Sequence, residues 1–270
     1  VKHRLATESH RGWHRGAQSF KNLFRLIMAD TKAKIFLANE RGRIETSLFR
    51  SLHTFCFGNY QLASKAAFGP LYLLNDDSLA GGQTISHTVE EDSDLLLIPL
   101  VGTIQYRDSL ENDLLISPGE SSLFSLPRYA TLEITNPHQE GLINYLQLWI
   151  RKPGSFSSVR RDGSFDLEKN KNLLLDVFSE VRKTFNLGSS IVKFSMGKFV
   201  GREDISYNLH STSNGVFVFV IEGAFEVSDR LLESRDGLAL WNTSNIEMES
   251  LSNNAIILMV EVQLRSTVVS

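Results

Sequence analysis

LLLIPLVGTIQYRDS, residues 95–109, and VFVFVIEGAFEVSD, residues 216–229, follow the same pattern. In each, an unbroken apolar run ends at a glycine turn, Gly102 or Glu222-Gly223, and a shorter strand-like segment follows. A glycine-containing turn comes later in both, ISPGE at 116–120 and SRDGLALW at 234–241. The same pattern twice, without close identity, is what two barrels of one type leave in a chain.

Outward from these runs the sequence keeps to short β-type segments. SLHTFCFGNY (51–60), LYLLN (71–75) and LINYLQLWI (142–150) fill the first half; SIVKFSMGKFV (190–200) and AIILMVEVQL (255–264) fill the second. Gly, Pro, Asn and Asp turns separate them, and strands at that spacing predict a sandwich or barrel. DSLEND (108–113) reads as a hairpin turn, and Pro118 and Gly119 supply turn geometry. Between 152 and 170 the composition shifts to KPGSFSSVRRDGSFDLEKN, the pattern of a linker. LLLDVFSEV (173–181) fits either a buried strand or an amphipathic helix, because periodicity does not decide runs this short. The expected division is a basic extension over 1–30, an N-terminal barrel over 31–152, a linker over 153–172, a C-terminal barrel over 173–265 and a tail over 266–270.

A chain of 270 residues, 42% hydrophobic, can fill two cores, since barrels of roughly 100 to 150 residues each bury enough surface to be stable. A net charge of −3 gives no global attraction to nucleic acid or anionic membrane. No apolar run reaches the roughly 20 residues that span a bilayer. The one cysteine, Cys56, excludes an internal disulfide and a multi-cysteine zinc site and fits a reducing compartment, so a cytoplasmic location is expected. The first 27 residues set Lys2, Arg4, Arg11, Arg15, Lys21 and Arg25 against Glu8 alone. That composition reads as a tail, a leader or an electrostatic contact arm.

Longer blocks carry a resemblance. ANERG (38–42), HTFCFGNY (53–60), LYLLNDD (71–77), GTIQYRDSLEN (102–112), the PGE of 118–120 and YLQLWI (145–150) resemble the N-terminal barrel of the pirin-like bicupins, which include quercetin 2,3-dioxygenase-like bacterial members. VIEGAFEV (220–227) and DGLALWN (236–242) are similar to their C-terminal cupin. The resemblance implies an all-β fold of two cupin barrels in tandem. It also implies iron or another divalent metal in the first barrel, held by a His-x-His pair after the NDD block and a later His-x-Glu pair.

Here the likeness breaks. Counting without gaps from Asn75 puts the first pair on Thr88 and Glu90, and counting through PGE puts the second on Leu132 and Ile134. Residues two apart on a strand share a face, so both pairs are expected to point into the barrel. Leu132 and Ile134 offer no lone pair, and iron needs imidazole or carboxylate donors in a defined number. The expectation is an apolar or mixed cavity at Thr88, Glu90, Leu132 and Ile134, with no metal, no cofactor and no catalytic residue assigned. A one-residue slip of register would turn His87 and Glu133 inward, near Glu91 and Asp94, and permit a site of His87, Glu90 and Glu133.

His53 reads as a buried, hydrogen-bonded histidine, Asn75–Asp76–Asp77 as a turn that satisfies backbone donors, and the acids Glu90, Glu91, Asp92 and Asp94 as a solvated loop by the barrel mouth. His210 stands without a ligand partner at x-spacing, and the sequence contains no GxSxG elbow and no phosphate loop. The reading is a degenerate, metal-free pirin-like bicupin that binds an unknown small molecule or protein. Its alternatives are a quercetinase-like dioxygenase with a non-standard metal site and a transcriptional co-regulator of the pirin type.

Overall fold

The computed structural model describes residues 31–56, 65–152, 156–178, 186–187 and 190–264. The extension read at 1–30, Asn59 and Tyr60, and the tail at 266–270 lie outside the described residues. In chain order the first half supplies β1 (Lys32–Phe36), β2 (Gly42–Glu45), β3 (Phe49–His53), β4 (Leu71–Ala80), β5 (Thr84–Thr88), β6 (Ser93–Val101), β7 (Ile104–Asp108), β8 (Asp113–Ile116), β9 (Glu120–Leu126), β10 (Thr131–Thr135), β11 (Leu142–Arg151) and β12 (Arg160–Ser164). The second half supplies β13 (Leu174–Asp176), β14 (Asn186–Leu187), β15 (Ser190–Phe199), β16 (Asp204–Asn208), β17 (Asn214–Glu222), β18 (Phe225–Val227), β19 (Leu231–Leu232), β20 (Gly237–Trp241), β21 (Asn245–Ser250) and β22 (Ala255–Gln263).

A 7-stranded sheet, β12-β9-β6-β11-β4-β3-β2, faces a 4-stranded sheet, β5-β10-β7-β8, to make the first barrel. The second barrel repeats it with β1-β20-β17-β22-β15-β13 over β16-β21-β18-β19. Strands β4 to β11 and β15 to β22 take the same places in the same order, so the fold is a tandem bicupin. The DSLEND turn joins β7 to β8 with Arg107 opposite Asp113.

The apolar runs are unbroken because both faces of these strands are buried. Leu95 and Leu97 on β6 pack in the first barrel. Leu96 and Ile98 pack between the barrels. Strand β17 alternates likewise, Val216, Val218 and Val220 inside the second barrel, Phe217, Phe219 and Ile221 at the junction. Each such side chain contributes about 1.5–3 kcal/mol when removed from water. At the junction the Phe217 ring meets Phe36 at 5.4 Å, Phe55 at 5.1 Å and Phe68 at 6.2 Å between centroids, within the range in which tilted and edge-on rings attract.

The edges depart from the sequence reading. Strand β1, expected in the N-terminal barrel, pairs with β20 of the second, Lys32 opposite Trp241. The segment read as a linker carries β12, which pairs with β9 of the first barrel, Arg160 opposite Phe124. Each barrel thus covers an exposed sheet edge, with its unpaired N–H and C=O groups, using chain from beyond the repeat. Gly163 allows this: a Cβ there would lie 1.8 Å from the Val177 carbonyl oxygen. Of the ambiguous 173–181 segment, the described part contributes β13, a strand, and residues 179–181 lie outside the described residues.

The ANERG block proves to be a strap between barrels. Ala38 N donates to Asp236 Oδ1 at 2.7 Å in the second barrel. Arg41 reaches Asp76 in the first at 3.2 Å, and Lys65 pairs with Glu40 at 3.1 Å. No described helix is long and apolar enough to cross a membrane.

Candidate functional site

Strands β5 and β10 pair with His87 opposite Leu132 and Ile85 opposite Ile134. Leu132 and Ile134 are 1% and 0% exposed and belong to the first barrel's core, together with Tyr106 and Phe124, whose rings stack at 3.9 Å. The register corrects the gapless count on β5. The residues that face Leu132 and Ile134 are His87 and Ile85, while Thr88 and Glu90 are exposed. The slip that would turn both His87 and Glu133 inward is met by half: β10 keeps its aliphatics inside, so Glu133, opposite Ser86, stays exposed.

His87 is therefore the imidazole that β5 sends inward. Its Nε2 is shut off from solvent and has no hydrogen-bond partner among the described residues. Burial holds its imidazole below the ordinary histidine range. Because the unfolded chain takes up that proton more readily, the group costs stability as pH falls below about 6.5. His87→Leu should remove this acid loss and add about 1 kcal/mol of stability near neutral pH, since an apolar group replaces an unsatisfied buried nitrogen. Urea unfolding of both proteins across pH checks it; a less stable variant would show that the imidazole has a partner. An open groove of about 430 Å³ outside this corner has Leu132 and His87 at its lining beside Ser86, Arg107 and Glu133.

The opposite wall is polar, which the sequence reading did not foresee. The NDD block lies within β4, not in a turn, and Asn75 and Asp77 share its inner face. The Nδ1 of His53 lies 2.8 Å from Asn75 Oδ1, the buried, bonded state expected of that histidine. Ser51 Oγ and Gln147 Nε2 both donate to Asp77, and Trp149 Nε1 donates to Gln147 Oε1 at 3.2 Å. Burial, reinforced by neighbouring Asp76, pushes the Asp77 carboxyl up to about 7 against those two bonds. The signal was in LYLLNDDSLA, where the polar residues Asn75 and Asp77 interrupt a strand at period two.

Asp94 also lies elsewhere than expected. It is 0% exposed, on the face of β6 turned toward the second barrel, where it accepts from Ser125 and sits 3.6 Å from Lys152 Nζ. Burial raises its pKa. Of the acids read as a loop, Glu91 pairs with Arg151 at 2.9 Å and Asp92 accepts Arg128 N at 2.8 Å.

In the second barrel His210 is not alone. Its Nδ1 lies 2.9 Å from Glu261 Oε2, which also accepts Tyr207 Oη at 2.7 Å, while Oε1 accepts Asn214 Nδ2 at 2.6 Å. Burial alone would raise this carboxyl, but the bonds from Asn214, Tyr207 and His210 outweigh it and hold it below the ordinary range. With the matching bulges of β11 against β6 and of β22 against β17 aligned, Trp149 stands where β22 carries Glu261, so the two barrels differ in chemistry at equivalent strand positions.

Iron does not fit the donor set of the first barrel. At the four positions where the family resemblance expects ligands, two side chains are aliphatic and two face outward. Among the described residues no group of three or more His, Cys, Asp or Glu is placed to hold a metal ion.

Comparison with known proteins agrees on the fold. The family described as "Quercetinase C-terminal cupin domain" matches residues 190–262. A quercetin 2,3-dioxygenase of Escherichia coli (strain K12) is 26% identical over 225 residues, covering 82% of this chain and 95% of that protein. The crystal structure of YhhW from Escherichia coli superimposes with a TM-score of 0.74 at 23% identity, over 87% of this chain and 98% of that one. A bacterial pirin YhhW structure in complex with nickel(II) has the same TM-score, 0.74, at 21% identity. With its duplicated barrels, its second-barrel match and relatives aligned along most of its length, the chain has the fold of the pirin-like bicupins and is similar to them in sequence.

Proposed function

We propose that this bicupin acts by binding a small molecule or a protein, without metal-dependent oxygen chemistry. The observation that carries the reading is the inward direction of Leu132 and Ile134 on β10. Dioxygenation of an enol at a metal needs at least three converging donors to fix the ion while leaving it open to substrate. Strands β5 and β10 offer His87 alone. The groove beside His87 and Leu132, with Arg107 and Glu133 on its rim, supports a small, partly polar ligand.

A second reading, a quercetinase-like dioxygenase with an altered metal site, draws support from the name of the Escherichia coli relative and from the inward imidazole of His87. Oxygen uptake with quercetin separates the two. Binding without oxygen chemistry predicts no consumption above the protein-free rate, with or without added iron(II). Iron-dependent turnover would replace it with the dioxygenase.

A further inference from the structure

The strap 38–42 and the turn before β20 bring two guanidinium groups to one carboxylate oxygen. Arg41 Nη1 lies 3.2 Å and Arg235 Nη1 3.6 Å from Asp76 Oδ2. The other oxygen, Oδ1, accepts Asn144 Nδ2 at 2.7 Å. The carboxylate is fully engaged. Arg235 is not: among the described residues its guanidinium donates no hydrogen bond, and its Nη1 is closed to solvent. Its single ionic partner among the described residues is one that it shares.

The arginine is also held there deliberately by its backbone. Arg235 has φ 71°, a left-handed conformation that strains a residue with a side chain. Asp236 fixes the turn, accepting Glu233 N at 2.9 Å and Ala38 N at 2.7 Å. Arg50, on β3 beside Ser78, brings a third positive charge. Burial lowers the pKa of Arg41, and the charges of Arg235 and Arg50 lower it further, which places all three in one electrostatic field. Two guanidiniums on one carboxylate, with the charge of Arg50 felt at Arg41, leave local positive charge in a chain whose net charge is −3.

We propose that this corner of the barrel junction binds an oxyanion, a phosphate or carboxylate group held by Arg235 and Arg50 next to the Arg41–Asp76 pair. The planar fork of a guanidinium matches the oxygens of such a group, and a shared, half-neutralised carboxylate leaves that fork unused. Because Arg235 comes from the second barrel and Arg41 and Arg50 from the chain leading into and forming the first, the anion would tie the barrels together. Ligation to the folded state then raises the unfolding midpoint.

The test is thermal unfolding of the full chain in rising inorganic phosphate, with ionic strength held constant by chloride. The expected result is a saturable rise in midpoint, with apparent affinity weakened about tenfold in Arg235→Gln, the loss of one bidentate contact, and by a smaller factor in Arg50→Gln. Asp76→Asn, which removes the competing carboxylate, should tighten phosphate binding. No saturable response in the parent protein, or unchanged affinity in Arg235→Gln, overturns the proposal. Should Arg235→Gln fail to fold by near-ultraviolet circular dichroism, unchanged affinity in Arg50→Gln overturns it equally.

Discussion

Asp77→Asn should abolish a loss of stability that the parent protein suffers as pH rises from about 4 to about 7. The carboxyl lies on the inner face of β4, 1% exposed, and burial pushes it up to about 7 from the ordinary 3.8. Between those values the folded state keeps a proton that the unfolded chain releases. Stability is therefore highest below the lower value, falls as pH climbs through the window, and levels off above it. A shift of this size is worth on the order of 4 kcal/mol. In the variant, an amide can accept from Gln147 and donate to Ser51 Oγ, so the network survives without a charge to bury. Urea unfolding of both proteins from pH 4 to pH 8 measures the difference, in which other titrating groups cancel. Parallel curves would mean that Asp77 ionises freely and that water reaches this wall.

Ile134→Glu should cost at least about 4 kcal/mol near neutral pH, against about 1 kcal/mol for the control Ile134→Val. The position is 0% exposed and flanked in register by Ile85 and Tyr106. None of these offers a positive partner. Tyr106 gives its hydroxyl to Asp108 at 2.8 Å and stacks its ring on Phe124. A carboxylate there would have to remain protonated or open the barrel to water. Denaturant midpoints read the cost. A variant within about 1 kcal/mol of the parent would reveal room and polar company at position 134, the opposite of a packed aliphatic site.

The repeat was legible because both faces of β6 and β17 are covered, which writes the apolar runs 95–101 and 216–221 into the sequence directly. His53 was legible for a similar local reason, an imidazole among strand residues. What escaped depends on pairing between distant segments. The inward turn of His87, and the outward turn of Thr88 and Glu90, follow from the register of β5 against β10, which a gapless count from Asn75 does not contain. The edge pairing of β1 with the second barrel and of β12 with the first hides in polar or short segments whose strand character comes from the open sheet edge they meet. Asp77 and Glu261 look like surface acids in sequence and are buried, because partners from other strands, Ser51 and Gln147 for one, Tyr207, His210 and Asn214 for the other, satisfy them.

The central claim is that aliphatic side chains on β10 deny the first barrel an iron site. Its most direct test is iron(II) titration, with elemental analysis, of full-length chain purified without added metal under anaerobic conditions. The account predicts no tight, stoichiometric uptake and an unfolding midpoint unmoved by iron. One iron bound tightly per chain, with a midpoint that rises on loading and falls on chelation, would contradict it.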